Sequence, residues 1–159
     1  AIVRNPQVFL GKALALGMTD TEFHCVHGLP PANGGSDNLT TCSDMIRLAR
    51  AVLRHPRILD WTSIQQTTFR NGTLVMTNKN RLVGRLFWVD GLKTGFTRRA
   101  GYNIVATGAS GDRRLIVVVL GSPESRVRNA FATEKFREHL HLVPGPAPDG
   151  GSQAEDFGG

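Results

Sequence analysis

The run Val89-Asp90-Gly91-Leu92-Lys93-Thr94-Gly95-Phe96-Thr97, followed by Ala100-Gly101-Tyr102-Asn103, holds the residue types best placed to bind a ligand. It reads as a strand, and a strand edge can take up an extended peptide by pairing main chain with main chain. Lys93 would offer a cation to a carboxylate. Thr94 or Thr97 would give the same group a hydroxyl hydrogen bond. Gly95 would leave room where another element comes close, and a backbone N–H just beyond it, at Phe96, can steady a developing oxyanion. Together these parts suit a peptide that ends in a free carboxylate. Alone, Lys-Thr-Gly describes no more than a strand end with an exposed lysine; the surrounding residues give it weight.

The elements that must position this run can be read in order. Residues 2–17 predict a helix with Val8, Leu10, Leu14 and Leu16 as its apolar positions, Pro6 in its first turn and Gly17 as its stop. Residues 21–26 predict a short extended piece, and Gly28 to Gly35 a long turn-rich loop. Thr41 starts a second helix, with Asp44 three residues on as an approximate capping box. Its buried stripe is Met45, Leu48, Ala49, Val52 and Leu53, and Pro56 ends it. From residue 64 the period becomes extended. Asn71-Gly72 between β-prone runs predicts a hairpin. Residues 87–94, 101–109 and 114–121 are three further strands, with a turn at Gly111-Asp112. The run Leu115 to Leu120 is apolar on both sides, which predicts a central strand covered on both faces. Ser122 then reads as the cap of a last helix, with Pro123 at its first position and its end near Leu140. The order is α+β, with helices packed on an antiparallel sheet. Residues 1–142 are expected to form one folded unit and 143–159 a disordered tail or linker stub.

Composition narrows the function classes. The chain has 159 residues and a formal net charge of +6, with nineteen Lys and Arg against thirteen Asp and Glu. Its apolar runs are too short to cross a membrane, and no signal peptide is visible. The charges are scattered and no nucleic-acid motif accompanies them, so a nucleic-acid partner is not expected; Arg47, Arg50 and Arg54 read as one solvated helix face. Cys25 and Cys42 lack zinc or thioredoxin spacing, which leaves open whether they are thiols or a pair. His24 and His27 lack a third ligand, so neither a metal nor any other cofactor is implied. Asp90, before Gly91, reads as a turn residue. Arg128, and more weakly Lys79, are candidates for assisting a carboxylate.

Lys-Thr-Gly is one of three motifs shared by serine penicillin-recognising enzymes, the others being Ser-x-x-Lys and Ser-x-Asn. Residues 89–102 resemble more closely a segment of the serine-type D-alanyl-D-alanine carboxypeptidases, Val-Asp-Gly-Leu-Lys-Thr-Gly-x-Thr-x-x-Ala-Gly-Tyr. Leu16-Gly17-Met18-Thr19-Asp20-Thr21-Glu22-Phe23 is similar to that family's Leu-Gly-Met-x-x-Thr-x-Phe, and His27-Gly28-Leu29 matches its His-Gly-Leu. Ser43-Asp44-Met45, Asn78-Lys79-Asn80, and Leu120-Gly121 with Arg128 resemble further family positions. The resemblance covers roughly residues 8–140.

It implies the β-lactamase and transpeptidase-like fold, incomplete at the amino-terminal side, with Lys93, Thr94, Gly95, Phe96, Thr97 and Arg128 on one wall of the substrate site. The expected ligands are the D-Ala-D-Ala end of a peptidoglycan pentapeptide and, in the complete enzyme, β-lactams; the expected location is outside the cytoplasmic membrane. The family's nucleophile and base belong to Ser-x-x-Lys, and no serine of these 159 residues has lysine three positions later. Both are expected upstream of Ala1, in a longer chain of which this is a part, and these residues alone are expected to be inactive. Ser36-Asp37-Asn38 spells Ser-x-Asn, but it falls after His-Gly-Leu and reads as ordinary turn chemistry. A β-lactamase-like hydrolase, a crosslink endopeptidase or a non-catalytic module binding cell-wall peptide are the alternatives that the same residues allow.

Overall fold

The computed structural model describes residues 5–29 and 34–140. The tail expected at 143–159, the first residues of the helix expected at 2–17 and the centre of the Gly28–Gly35 loop lie outside those residues. Helix α1 runs from Pro6 to Ala15, capped by the Asn5 side chain, which accepts from Gln7 N at 2.9 Å. Gly17 follows it at φ +74. Val8 and Leu14, expected in its apolar stripe, are exposed; Ala13 and Met18 are the residues buried here. Between α1 and the next helix, the extended piece is a single bridge pairing Glu22 with Leu39.

Helix α2 spans Cys42–Val52, with Thr41 as its N-cap. Only half of the expected capping box forms. Thr41 Oγ1 accepts from Asp44 N at 3.2 Å, but the buried Asp44 carboxylate turns to the preceding loop instead of back to Thr41. It accepts from Asp20 N at 2.9 Å, Thr21 Oγ1 at 2.7 Å and Arg47 Nη1 at 2.8 Å. A carboxylate out of water needs this many donors, and they tie α2 to the segment that follows α1. Arg47 is therefore an ion-pair partner, not merely part of a solvated face.

A short helix α3, Arg57–Thr62, follows Pro56 and was not expected from the pattern. The hairpin forms as β1 (Gln66–Phe69) and β2 (Leu74–Thr77). Its connection is four residues, Arg70 to Thr73, and Arg70, Asn71 and Gly72 all have positive φ. A two-residue Asn-Gly turn is thus replaced by a wider one.

The main sheet is antiparallel, in the order β3 (Val89–Thr97), β4 (Gly101–Ser110) and β5 (Arg113–Ser122). All three strands were expected, but β5 lies at an edge and β4 is the central strand among the described residues. The cover expected on both faces of β5 is present, since both α2 and α4 (Ser125–His139) pack against β5 as well as β4. Their apolar cover produces the two-sided run Leu115 to Leu120. In β4, Ile104 and Ala106 leave the sheet on one face and Val105 and Thr107 on the other, and all four are buried. Ile104 and Ala106 join Leu82, Val83, Val89 and Val117 beneath Ala132, Phe136 and Leu140 of α4 to make the core. Helix α4 begins later than expected. Ser122 is still paired with Tyr102 in β5, and its hydroxyl donates to Glu124 O instead of capping; Glu124 is the N-cap.

Candidate carboxylate-binding site

The site is built on β3, whose register puts Lys93 opposite Val105, Thr94 opposite Ile104 and Gly95 opposite Asn103. Strand β3 pairs only with β4 among the described residues, so its other edge has no strand partner there. Two features hold the strand in place. Gly91 lies so close to α3 that a Cβ there would meet Thr62 Oγ1 at 2.6 Å, and that hydroxyl donates to Asp90 O at 2.8 Å. On the other flank the Asn80 side chain, 2% exposed, donates to Gly91 O at 2.9 Å and accepts from Leu82 N at 3.1 Å. Asn78 Nδ2 donates to Thr62 O and Ile64 O, and Asn78 Oδ1 accepts from Asn80 N. The Asn-Lys-Asn segment thus works as a brace. Its two asparagines bind α3 and β3, and Lys79 between them is left exposed beside the site.

A pocket of about 400 Å³ brings together Lys93, Thr94, Gly95 and Phe96 of β3, Arg128 of α4 and Lys79. Tyr102, already part of the Ala-Gly-Tyr match, completes it together with Arg81, Ser125 and Asn129, three residues not singled out from sequence. Lys93 is exposed, and its ammonium donates to the Thr94 carbonyl oxygen. Phe96, 55% exposed, lies against Tyr102 with ring centroids 4.2 Å apart. Arg128 is 4% exposed. Its guanidinium donates to Asn103 O at 3.1 Å and, from two nitrogens, to Asn129 Oδ1 at 2.9 and 3.0 Å. Burial lowers its pKa from the ordinary arginine value, partly offset by the nearby Tyr102; the group remains a cation at neutral pH. Arg128 therefore both fixes the start of α4 to β4 and gives the pocket a buried positive charge beside the exposed Lys93, Lys79 and Arg81.

Three expected roles are changed by the geometry. Thr97 does not line the pocket; its Oγ1 accepts from Ala100 N at 3.0 Å and shapes the β3–β4 turn. Gly95 faces open space, with nothing within 4 Å of a Cβ placed there. Room at Gly95 therefore serves no close approach by any described element, and Gly91 is the glycine of β3 that does. Asp90 sits in β3 at a register shift, not in a turn. Its carboxylate receives both arms of Arg114, at 2.9 and 2.8 Å, and Arg114 also donates to Thr107 Oγ1. Asp90 is thus already neutralised and locks β3 to β5 across β4.

The other candidates are accounted for as structure. His24 Nε2 lies 3.0 Å from Glu22, and His27 Nδ1 accepts from Leu29 N. No group of three His, Cys, Asp or Glu side chains placed to hold a metal occurs among the described residues. Cys25 and Cys42 are free thiols. Asn38 of Ser36-Asp37-Asn38 spends its side chain on His24 N, Cys25 N and Cys25 O, while Asp37 pairs with Arg99 at 2.9 Å. Asn38 does border a second, largely apolar pocket of about 490 Å³ on which Lys93, Thr94 and Gly95 also open.

Fold and wall together define a class, that of the penicillin-binding proteins with the transpeptidase and β-lactamase-like fold. Penicillin-binding protein D2 of Listeria monocytogenes, solved with ampicillin bound, superposes with a TM-score of 0.74 at 33% identity, over 84% of this chain and 54% of that one. Penicillin-binding protein 6B of Escherichia coli gives 0.72 at 33% identity, over 83% and 40%. Residues 7–124 match the model of the D-alanyl-D-alanine carboxypeptidase family, peptidase S11, and the chain belongs to that family. The D-alanyl-D-alanine carboxypeptidase DacC of Escherichia coli is 38% identical over 123 residues, covering 74% of this chain and 28% of that protein. A D-alanyl-D-alanine endopeptidase of Pseudomonas aeruginosa is 34% identical over 99 residues, covering 59% of this chain and 30% of its own length. The chain thus spans under a third of these two curated relatives.

Proposed function

We propose that these residues supply the carboxylate-binding wall of a serine-type D-alanyl-D-alanine carboxypeptidase that trims peptidoglycan stem peptides through an acyl-enzyme outside the cytoplasmic membrane. The observation that carries the reading is the gathering of Lys93, Thr94 and Arg128 around one pocket, beside a strand edge that has no partner among the described residues. A stem peptide would lie along that edge by β-addition. Its terminal carboxylate would meet Lys93 and the Thr94 hydroxyl, with Arg128 adding a fixed positive charge at short range. Lys79, held out by its two asparagines, would reinforce the field. A β-lactam carries a carboxylate in the corresponding position and would use the same wall. The Phe96 N–H, just beyond the glycine, would assist the developing oxyanion.

The wall orients and does not attack. No serine here has a lysine one helical turn later, and acyl transfer of this type needs a nucleophile whose proton passes to an adjacent base. The 159 residues by themselves are therefore expected to form no covalent penicillin adduct. The test is to incubate the chain with a fluorescent penicillin, denature it and run a gel beside the Escherichia coli relative. A labelled band from the chain that survives denaturation would show a nucleophile elsewhere in it. The wall is tested in a chimera, with residues 5–140, which include Arg128 and all of α4, replacing the corresponding segment of that relative: Lys93→Ala should then slow acylation by peptide and by penicillin alike.

A further inference from the structure

The pocket does not end at Arg128. It opens into a trench of about 770 Å³ between the 81–86 turn and the outer face of α4, and Arg81, Ser125 and Asn129 line both. The trench is basic in a particular way. Its carboxylates are already engaged, since Glu134 and Glu138 both accept from Lys135, at 3.3 and 2.7 Å. Arg126, on its rim, is taken by Glu124 at 2.6 Å. Arg81, Arg85 and Arg137 make no ion pair or side-chain hydrogen bond among the described residues, and all three are exposed. Three guanidinium groups without an ion pair thus line one groove, outnumbering the one negative charge left where Glu134 and Glu138 share Lys135. Guanidinium forks favour carboxylates held in two-pronged fashion, and the Asn129 and Thr133 side chains between them add polar groups for a peptide backbone.

We propose that this trench is a second anion subsite of the same site, occupied by a further carboxylate of a peptide whose terminal carboxylate lies at the Lys93 wall. The inference rests on the reading of that wall given above. It narrows the substrate class to peptides with more than one free carboxylate, such as branched or crosslinked stems, over a simple D-alanyl-D-alanine end. A single D-alanine residue is far smaller than the 400 Å³ pocket and does not extend into the trench, so only a larger, more acidic ligand benefits from it.

The experiment measures binding to the 159-residue chain, by NMR titration, of two peptide series ending in D-Ala-D-Ala. One carries glutamate at increasing distances from the terminus and the other glutamine at the same positions. At the spacing that reaches the trench, the glutamate peptide should bind roughly three- to tenfold tighter, as for two partly exposed charge pairs, and the advantage should fade with salt. Arg85→Gln combined with Arg137→Gln should abolish the advantage and leave the glutamine peptide's affinity unchanged. Lys93→Ala should weaken both series equally. If the glutamate advantage is absent at every spacing, or survives loss of both arginines, the second subsite is wrong. If Lys93→Ala changes neither series while the arginine variants do, the wall is wrong and the trench binds anions on its own. Polyphosphate that displaces the glutamate peptide from the chain at equal or lower concentration would overturn the peptide assignment.

Discussion

Asn80→Ala should be among the most damaging single substitutions near the site. Asn80 is 2% exposed, and its amide makes one bond to each side: it donates to Gly91 O and accepts from Leu82 N. Alanine leaves both backbone groups unsatisfied in a place water does not reach. Each costs about 1–3 kcal/mol, so a loss of about 3 kcal/mol is expected after partial relaxation. The measurement is the urea midpoint followed by far-UV circular dichroism, with an unchanged slope showing that the same transition is being read. Asn80→Asp sharpens the test. It keeps an acceptor for Leu82 N but sets a carboxylate oxygen against Gly91 O, so at neutral pH it should cost at least as much. That buried carboxyl would have a raised pKa, and its protonated form can donate to Gly91 O. The deficit is thus present above the raised value and should shrink as pH falls through it. A loss below about 0.5 kcal/mol for Asn80→Ala, the range of an ordinary surface change, would refute the view that this side chain braces β3.

Further outcomes follow from the same geometry. In the chimera, Lys93→Ala should reduce acylation roughly 100- to 1000-fold, the effect of removing one preorganised donor, whereas Lys93→Arg should recover only part of it, because the two cations differ in shape; stopped-flow with a chromogenic β-lactam reads both. Gly91→Ala should destabilise by about 1–3 kcal/mol through overpacking against Thr62, and Thr62→Ala should make the second change less than additive in a denaturation cycle. Asp90→Asn should lower thermal stability by stripping Arg114 of its two-armed partner without changing the affinity of a D-Ala-D-Ala peptide, since Asp90 does not line the pocket; an equal loss of binding would place it in the site after all.

Much of the sheet could be read from the chain because its signals are local. Alternating β-prone residues and the Gly111-Asp112 turn marked β4 and β5 to within a residue. Helix α3 escaped because six residues after a proline, without a capping side chain, carry no period to read. The apolar run of β5 reports cover on its faces, which α2 and α4 provide, and says nothing of its edge neighbours; among the described residues β5 pairs with β4 alone. At the site, Lys93, Thr94 and Arg128 were visible as chemistry, yet Arg128 meets β4 through Asn103, 25 positions away in the chain. Nothing short-range announces that contact. Asp90 was assigned to a turn for the same reason, its partner Arg114 being 24 positions distant. Arg81, Ser125 and Asn129 had no motif of their own, and only folding puts them beside Lys93.

The double burial of β4 also has a consequence for the order of events in time. From Val89 to His139 every successive element packs on its sequence neighbour, through short connections at 98–100, 111–112 and 123–124. Such local pairing closes small loops and folds fast. The meander with α4 should therefore behave as one cooperative unit. The β4 amides from Ile104 to Gly108 should be the last to exchange with solvent. The β1–β2 hairpin, exposed at every strand position, should open and close many times while that unit stays shut. A ligand wall built on the slow-exchanging unit keeps its shape through those openings, since Lys93, Thr94 and Arg128 all belong to it.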